Sequence, residues 1–402
     1  MKILHTADWH IGKKLHKHEL SQDFSLFIDW LCKLVPERRI DCLLVSGDIF
    51  DLANPSSEAR SAYYQALVRL SRLHCKIILT GGNHDSPAVL NAPKELLRNL
   101  DIHVVGNLPE KADDYLIPLE KDGQLEAVIA ALPYLRNPDL RQADEQVDYA
   151  SRIEAVRAGI ARIFEDTATA SKRLYPDVTA IAMGHLYAAG ASTSESERDI
   201  QIGNEASFEA QQFGDYFSYI ALGHIHKPQK VNALVPTFYS GSPLPLSFSE
   251  RSDQKRVLLL DTSSGFKPES IAVPEFRKLK KLKGNLSHLK KDLQHLPAGE
   301  PLETLVELEL EEENYDPALL TELDRFVNDF DKEGVRVVKH RATFKNRTEG
   351  ASELFKKGQQ LEDLKPLEVF EKRLEKENYD SETQQLLRDA FHQILEESQT
   401  TT

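Results

Sequence analysis

The sequence DCLLVSGDIFD, residues 41–51, carries the clearest evidence for the fold. It opens with a short apolar run, Cys42 to Val45, which is typical of a buried β-strand. A turn beginning at Gly47 follows at once and carries two carboxylates, Asp48 and Asp51. In α/β proteins the reacting groups lie in loops at the strand ends. This stretch therefore predicts one strand of a central sheet with candidate site residues at its end.

The same arrangement recurs along residues 1–275. Short apolar runs alternate with helical patterns such as Phe24 to Val35 and Ser57 to Leu73. Alternation of this kind predicts a central sheet that is covered by helices. Polar motifs follow four further runs directly; they are Asp8-Trp9-His10, Gly82-Asn83-His84-Asp85, Gly184-His185 and Gly223-His224-Ile225-His226.

These motifs offer the side chains that bind transition metals. A phosphodiester anion repels hydroxide and releases a poor leaving group, and two divalent cations about 3.5–4 Å apart can overcome both obstacles. Mixed His, Asp and Asn ligation suits manganese, iron or zinc better than magnesium or calcium. A single histidine such as His185 is more often a structural residue than a ligand. Five post-strand sites that all carry ligand atoms nevertheless predict a metal centre.

The order of the motifs, D-x-H, GD-x-x-D, GNHD, GH and GH-x-H, resembles that of the calcineurin-like metallophosphoesterases. The longer stretches HTADWHIG (5–12), IALGHIH (220–226) and SGSPLPLSF (240–248) are similar to the SbcD family, the nuclease subunits of bacterial SbcCD complexes. The resemblance extends over essentially the whole chain, including residues 190–203. It implies an α/β fold: a metallophosphoesterase β-sandwich flanked by helices, a small α+β capping domain and a C-terminal helical tail.

The resemblance also implies two divalent metal ions, with manganese as the expected metal. Asp48 would bridge the two ions. The remaining ligands would be Asp8, His10 and His226 for one ion, and Asn83, His185 and His224 for the other.

Three further residues receive roles from the same resemblance. His84 would face the phosphate, where it stabilises the transition state or protonates the leaving oxygen. Asp85 is expected to orient a histidine. Some relatives carry a histidine where this chain has Asp51, so Asp51 is expected to support the site or the fold rather than to contact phosphate.

The composition changes near residue 275. The segment 277–291 carries seven basic residues and no acid. Strand candidates at Thr304 to Leu310 and Gly334 to His340 then flank a helical pattern at Pro317 to Phe330. We therefore predict a phosphoesterase domain at 1–275, a small α+β domain at 276–345 and C-terminal helices at 346–402. Basic runs often form solvated faces, and the candidate DNA contacts are Arg277, Lys278, Lys280, Lys281 and Lys283.

The C-terminal segment predicts a partner. Its two amphipathic patterns, around Phe370 and around Phe391, are too short to bury a core of their own. The resemblance implies that they grip the SMC-like ATPase SbcC near its coiled-coil root. It further implies a heterotetramer with two copies of each chain, in which the helices at 24–30 or 57–70 would form a homodimer contact.

The bulk composition limits the function classes. Hydrophobic residues make up 41% of the chain and charged residues 28%, as in soluble globular proteins. The sequence shows no long apolar run, no signal-peptide pattern and no CxxC pair, which favours a cytoplasmic protein without a membrane segment. The resemblance to DNA nucleases adds the expectation that the protein is nucleoid-associated. The net charge of −14 argues against broad DNA binding. A nuclease with this charge needs metal cations, a local basic patch or a partner protein.

Three functions remain in competition at this stage. The resemblance implies an ATP-stimulated 3′–5′ double-strand exonuclease and single-strand and hairpin endonuclease, acting on DNA in repair, recombination and replication. A phosphatase or small-molecule phosphodiesterase is the alternative, because the same metals serve those substrates; protein phosphatases of the superfamily, however, usually read GNHE where residues 82–85 read GNHD. A metal-free scaffold is disfavoured because every expected ligand position is filled.

Overall fold

A computed structural model of the protein describes residues 1–140, 149–197 and 208–346, with six further residues from 370 to 391. The strands are β1 (Lys2–Thr6), β2 (Lys14–Leu15), β3 (His18–Glu19), β4 (Cys42–Ser46), β5 (Lys76–Thr80), β6 (Ile102–Val105), β7 (Leu116–Lys121), β8 (Gln124–Ala131), β9 (Ala180–His185), β10 (Tyr219–Gly223), β11 (Gln229–Val231), β12 (Thr237–Tyr239), β13 (Arg256–Asp261), β14 (Glu269–Ala272), β15 (Leu279–Gly284), β16 (Thr304–Asn314) and β17 (Val335–Asn346). The helices are α1 (Ser21–Arg38), α2 (Ser57–Ser71), α3 (Pro87–Asn91), α4 (Lys94–Arg98), α5 (Asn137–Leu140), α6 (Tyr149–Leu174), α7 (Leu286–His295) and α8 (Pro317–Asp329).

Two six-stranded sheets form a β-sandwich. Their strand orders are β14-β13-β1-β4-β5-β6 and β11-β12-β10-β9-β8-β7. The four adjoining strands β1, β4, β5 and β6 run parallel, as do β8, β9, β10 and β12 in the other sheet. The predicted α/β class, a sandwich flanked by helices, is confirmed.

Alternation along the strands of the first sheet divides its side chains between two cores. Ile3 and Leu44 face the second sheet and share a buried core with Ile181. Their chain neighbours Leu4 and Leu43 face the other way and pack against α1 and α2. Burial on both faces explains why residues 42–45 form an unbroken apolar run instead of an alternating one.

Residues 279–346 form a separate small sheet. Its strands lie in the order β15-β16-β17, and all of them run parallel. Helices α7 and α8 connect them and cover one face, where Val306 and Leu308 are buried. The predicted strands and helix near 304–340 are present, whereas β15 and α7 were not anticipated, because their apolar residues are interspersed with a run of basic residues. The strands and helices of this domain alternate, so it has an α/β order.

A buried ion pair joins the small sheet to α1. Arg277 is 3% exposed, and its guanidinium donates three hydrogen bonds of 2.8–3.0 Å to the carboxylate of Asp23 and one of 3.0 Å to the carbonyl of Glu303. The expectation that Arg277 is a DNA contact was therefore wrong. Its position in a run of lysines concealed that the helix α1 supplies its counter-charge.

The predicted C-terminal helices lie largely outside the described residues, as do residues 198–203 of the stretch 190–203. Within that tail the six described residues are helical, and the rings of Phe370 and Phe391 stack with centroids 4.1 Å apart. In the part of the chain that the structure describes, no helix has both the length and the apolar character needed to cross a membrane.

Candidate metal centre

The candidate site lies where the carboxyl ends of five parallel strands, from both sheets, meet. Strands β1, β4 and β5 of the first sheet end there together with β9 and β10 of the second. The predicted metal ligands and the residues beside them lie in the turns after these strands, except His185, which is the last residue of β9. They are Asp8, His10, Asp48, Asp51, Asn83, His84, Asp85, His185, His224 and His226.

Two glycines allow these turns to approach one another. A Cβ at Gly223 would lie 1.7 Å from the carbonyl oxygen of Ser46, which belongs to the opposite sheet. A Cβ at Gly82 would lie 2.0 Å from Oδ1 of Asp48. Contacts this short are impossible for any larger residue. These glycines are therefore required for the close packing of the strand ends.

Asp8 and Asp48 use their two oxygens in the same way. Oδ1 of Asp8 accepts a hydrogen bond of 2.8 Å from the backbone N–H of His224, and Oδ1 of Asp48 accepts one of 2.9 Å from that of His84. Each carboxylate thus fixes a neighbouring turn through one oxygen. The other oxygen, Oδ2, is directed into the site: that of Asp48 lies 3.5 Å from Nε2 of His10 and 3.4 Å from Nε2 of His185.

Four of the site residues adopt left-handed backbone conformations. The φ angles are 55° for Asp8, 43° for His10, 49° for Asp48 and 99° for His224. Such angles are uncommon in residues other than glycine, and where they persist the surrounding structure must hold them. Here the carboxylate hydrogen bonds to the backbone hold the turns, so the strain serves to direct side chains inward.

The imidazoles of four histidines share one orientation, with Nδ1 turned toward a protein oxygen and Nε2 toward the site. Nδ1 of His84 lies 2.7 Å from the carbonyl of Asp51, and Nδ1 of His185 lies 3.0 Å from the carbonyl of Ser46. Nδ1 of His10 lies 3.3 Å from Oδ1 of Asp51. The fourth, His226, contacts Ser196 through Nδ1 at 2.6 Å. An oxygen at Nδ1 fixes the ring and leaves the Nε2 lone pair to bind a cation.

The side chains form three overlapping groups in which all the ligand atoms lie within 4.8 Å of one another. Asp48 belongs to two of them. The groups are Asp8 with His10 and His226, His10 with Asp48 and His84, and Asp48 with His185 and His224.

Asn83 and two orphaned atoms show that this donor set suits cations. Oδ1 of Asn83 lies 2.9 Å from Nε2 of His185 and 3.2 Å from Nδ1 of His224, so it faces the third group. Oδ2 of Asp8 and Nε2 of His224 are buried without a hydrogen-bond partner. Buried polar atoms are normally satisfied. A carboxylate oxygen and imidazole nitrogens converging in this way fit transition-metal ions.

The protonation equilibria reflect the same crowding of charge. Burial, with the nearby Asp48 carboxylate, raises the pKa of Asp8 to about 7. Burial opposes the charge of His185, but the carboxylates of Asp48 and Asp8 outweigh it and raise the pKa of this imidazole to about 9. Burial and the neighbouring His185 hold the pKa of His224 well below its usual range. In the absence of cations, protons supply part of the positive charge that the carboxylates require.

Asp85 contacts backbone groups where a histidine partner was expected, whereas Asp51 contacts two of the site histidines. Asp85 accepts hydrogen bonds of 2.8–3.0 Å from the backbone N–H groups of Gly82, Ile49 and Phe50, and so ties two turns together instead of orienting a histidine. Asp51 takes the orienting role, because its carboxylate contacts His10 and its carbonyl contacts His84. Lys13 balances the Asp51 carboxylate at 3.1 Å.

Sequence reasoning missed a buried network behind His226. Glu250 lies 3.5 Å from Nδ1 of His226 and accepts a hydrogen bond of 2.6 Å from Nζ of Lys255. Burial opposes the charge of Glu250, yet His226 and Lys255 hold its pKa well below the usual range. Glu197 accepts a hydrogen bond of 2.8 Å from the backbone N–H of His226. The stretches 190–203 and 240–248 belong to the family resemblance and lie next to this network, but nothing in them connects Glu250 to His226.

The rim of the site carries two residues that were also missed, Tyr134 and Arg136. They follow β8, a sixth strand that ends near the site. Arg136 donates a hydrogen bond of 2.8 Å to the carbonyl of Asp85, and its guanidinium lies 5.5 Å from the centre of the Tyr134 ring. The Tyr134 ring in turn meets that of His185 edge-on at 6.3 Å. The half-buried guanidinium of Arg136 therefore lies next to the candidate metal ligands.

The fold and the site define a class. The family model of the calcineurin-like phosphoesterases matches residues 1–228, more than half of the chain, so the protein is a calcineurin-like phosphoesterase. A second family model, described as the type 5 capsule protein repressor C-terminal domain, matches residues 275–378.

Curated relatives narrow the class. The D subunit of the nuclease SbcCD from Escherichia coli K12 is 31% identical over 406 aligned residues, which cover 98% of each chain. The protein of the same name from Rhodobacter capsulatus is 37% identical, over 68% of this chain and 69% of its own length. The one from Bacillus subtilis is 34% identical, over 66% of this chain and 67% of its own length. The chain belongs to the SbcD family, which confirms the resemblance seen in its motifs.

Proposed function

We propose that the chain is a manganese-dependent DNA nuclease with two metal ions, and that it works as the nuclease subunit of an SbcCD complex. The names of the relatives describe each of them as one subunit of a nuclease. The observation that carries the proposal is the position of Asp48. Its Oδ2 lies between imidazoles of two ligand groups, which is the place of a carboxylate shared by two cations.

The ligand sets are those that the family resemblance implies, and the first and third groups bring most of their members together. Two divalent cations there would act as Lewis acids on the phosphate, lower the pKa of a water molecule and stabilise the leaving oxygen. Asp48 would touch both. The first cation would be held also by Asp8, His10 and His226, and the second by Asn83, His185 and His224.

His84 acts on the phosphate in this proposal. Its Nδ1–H donates a hydrogen bond to the carbonyl oxygen of Asp51, which leaves Nε2 facing the site. Nε2 lies 4.0 Å from Oδ2 of Asp48, farther than the corresponding atoms of His10 and His185. In its doubly protonated, imidazolium form the ring would deliver the Nε2 proton to the leaving alkoxide and keep the Nδ1 proton hydrogen-bonded to the Asp51 carbonyl. Arg136 at the rim would bind a phosphate of the same strand, since a guanidinium matches phosphate geometry.

Partner binding resolves the conflict with the net charge of −14. DNA affinity depends on cationic contacts to phosphates, and the described part of the small sheet neutralises much of its own basic charge. Lys281 and Lys283 pair with Glu309 and Glu311 at 3.0 and 2.8 Å, and Lys278 and Lys280 are exposed. An SbcC ATPase bound by the C-terminal helices, in a heterotetramer, would supply the main surface for double-stranded ends, hairpins and single strands.

The function is tested by cleavage of an end-labelled DNA hairpin in manganese, magnesium or chelator, beside hydrolysis of bis-p-nitrophenyl phosphate. We expect manganese-dependent cutting of the DNA, with products that increase when SbcC and ATP are added. The lengths of the labelled products on linear duplexes report polarity and the balance of exonuclease and endonuclease activity. Hydrolysis of the small ester with intact DNA, even with SbcC and ATP present, would favour the small-molecule phosphodiesterase instead.

The role of His84 is tested by His84→Ala in the same assays. General acid catalysis contributes about 10²–10⁴-fold to a rate, so cleavage should fall by a factor in that range. Bound manganese, measured by mass spectrometry of the desalted protein, should remain at the wild-type stoichiometry. Loss of both metal ions in this variant would show that His84 is a ligand and would contradict the assignment.

A further inference from the structure

A chain of hydrogen bonds lies behind His226, on the side of the ring that faces away from the site. Ser196 contacts Nδ1 of His226 at 2.6 Å and also hydrogen-bonds Oε1 of Glu250. Glu250 is 1% exposed. Its second oxygen, Oε2, accepts 2.6 Å and 3.1 Å hydrogen bonds from Nζ of Lys255 and from the backbone N–H of Leu246.

The proton positions along this chain follow from the donors and acceptors available. Nε2 of His226 faces Nε2 of His10 at 3.1 Å. A nitrogen that binds a cation needs its lone pair, so the single proton of the neutral ring must lie on Nδ1. Nδ1–H then donates a hydrogen bond to the hydroxyl oxygen of Ser196, and the Ser196 O–H donates a hydrogen bond to the Glu250 carboxylate. An ionised carboxylate only accepts hydrogen bonds, so Glu250 fixes the direction of the whole chain.

The same ion pair also holds the backbone of His226. Nζ of Lys255 donates a hydrogen bond of 3.0 Å to the carbonyl oxygen of His226 and one of 2.9 Å to Oγ of Ser242. The ring of His226 is therefore linked to Glu250, through Ser196, and its main chain is hydrogen-bonded to Lys255. Both partners belong to the segment 250–255. The other histidines with Nε2 facing the site have a carbonyl or a carboxylate directly at Nδ1. At His226 the oxygen nearest to Nδ1 is instead the hydroxyl of Ser196, at 2.6 Å, with Oε1 of Glu250 beyond it at 3.5 Å.

We propose that Glu250 is a positioning residue that acts through Ser196 to hold His226 as the Nδ1-protonated tautomer, with Nε2 directed at the first cation. This rests on the proposed metal centre. Glu250 touches neither the substrate nor the cations; it acts on His226. Partners of this kind are typically worth about 10–100-fold in metal affinity.

The test is calorimetric titration of metal-free protein with Mn²⁺, comparing wild type with Ser196→Ala, Ser196→Thr, Glu250→Gln and Ser247→Ala. Ser247 is the matched control, because its hydroxyl donates to the same Oε1 of Glu250, at 3.2 Å, without a contact to His226 among the described residues. We expect Ser196→Ala and Glu250→Gln to weaken one of two sites at least about tenfold. Ser196→Thr, which keeps the hydroxyl, and Ser247→Ala should bind as wild type does.

The outcomes separate this inference from the proposed function. Absence of Mn²⁺ binding in the wild type would overturn the metal centre itself. Two wild-type sites that stay unchanged in Ser196→Ala would overturn the positioning role alone. Weakening in Ser196→Ala with none in Glu250→Gln would remove Glu250 from the chain. Equal weakening in Ser196→Ala and Ser247→Ala would show a general loss of local packing and would also contradict the proposal.

Discussion

Charged side chains gather in two regions of this molecule, the metal centre and the basic segment 277–291, and the two are built in opposite ways. In the metal centre, Asp8 and Asp48 are buried, and each directs one oxygen into a space shared with imidazoles. In the basic segment, most of the charges already have partners. Arg277 is paired with Asp23 in the interior, and Lys290 is paired with Glu322 at 2.6 Å on the surface.

The difference teaches that charge density along a sequence is a poor guide to where a ligand binds. A buried charge must be matched by some opposite charge. Where the protein supplies it, as Asp23 does for Arg277, the group is structural. Where the only ionisable partners of a buried carboxylate are imidazoles, as for Asp48, the positive charge that balances it must come from protons or from bound cations. The metal centre is of the second kind.

The strongest way to break this comparison is Asp48→Asn. The variant removes the charge that both cations would share, so metal binding should fail and with it several kcal/mol of transition-state stabilisation, roughly a 10³-fold loss of manganese-dependent hydrolysis or more. Bis-p-nitrophenyl phosphate turnover and bound manganese measure both. Asp41→Asn is the control, since Asp41 precedes the same strand at its opposite end and pairs with Lys121 at 2.9 Å. Wild-type manganese content in Asp48→Asn would refute the shared carboxylate.

The next prediction concerns the basic segment, where most charges have partners within the protein. Arg277→Ala leaves Asp23 buried without its partner, and breaking a buried pair costs about 3–5 kcal/mol. We expect a clearly lower Tm by calorimetry, with the metal centre still able to bind manganese in the folded protein. Lys290→Ala removes a partly exposed pair from the same domain and should change the Tm little. Equal shifts in the two variants would mean that the Asp23 contact does not anchor the small sheet.

The sequence was a good guide to the strand ends. A strand such as β4 is fixed by local apolar character, and the turn that follows it must lie at the edge of the sheet. The positions of Asp8, Asp48, Asn83, His185 and His224 therefore followed from the order of strands and motifs. What the motifs could not show is which oxygen faces the site, since that depends on backbone N–H groups from turns distant in the chain.

The errors arose where the partner lies far away in sequence. Arg277 and Asp23 are 254 residues apart, and Glu250 reaches His226 through Ser196, 54 residues earlier. No local pattern connects such positions. Asp85 resembled a residue that orients a histidine, but the geometry of its own turn brings it to the N–H groups of Ile49 and Phe50. Long-range pairing of single side chains is decided by the packed fold.

A smaller effect follows from the protons that occupy the metal centre. A ligand imidazole must be neutral and a ligand carboxylate ionised, so cations must displace protons. Because the pKa of Asp8 is raised to about 7 and that of His185 to about 9, both groups hold a proton below pH 7, and His185 still holds one between those values. Mn²⁺ affinity should rise with pH, steeply up to about pH 7 and about tenfold per pH unit from there to about pH 9.

Calorimetry in buffers of different ionisation enthalpy counts the protons that are released when Mn²⁺ binds. An affinity that falls as the pH rises would contradict these shifts.

The smallest expected effect sharpens the comparison within the basic segment itself. Lys278 and Lys280 are exposed, and no ion pair engages them among the described residues, whereas Lys281 and Lys283 are paired with Glu309 and Glu311. If exposed charge without a partner is what meets DNA, Lys278→Ala/Lys280→Ala should weaken duplex binding a few-fold. It should also lower the slope of log Kobs against log salt by up to about 2, because each phosphate contact contributes about 0.9. Lys281→Ala/Lys283→Ala should lower the affinity and the slope less, since those lysines would first have to leave their carboxylates.

Fluorescence anisotropy over a salt series, with the ATPase present, measures both slopes. Equal slopes in both double variants and the wild type would mean that the small sheet does not touch DNA through this segment, and that the cations needed for binding come from the metal centre and the partner.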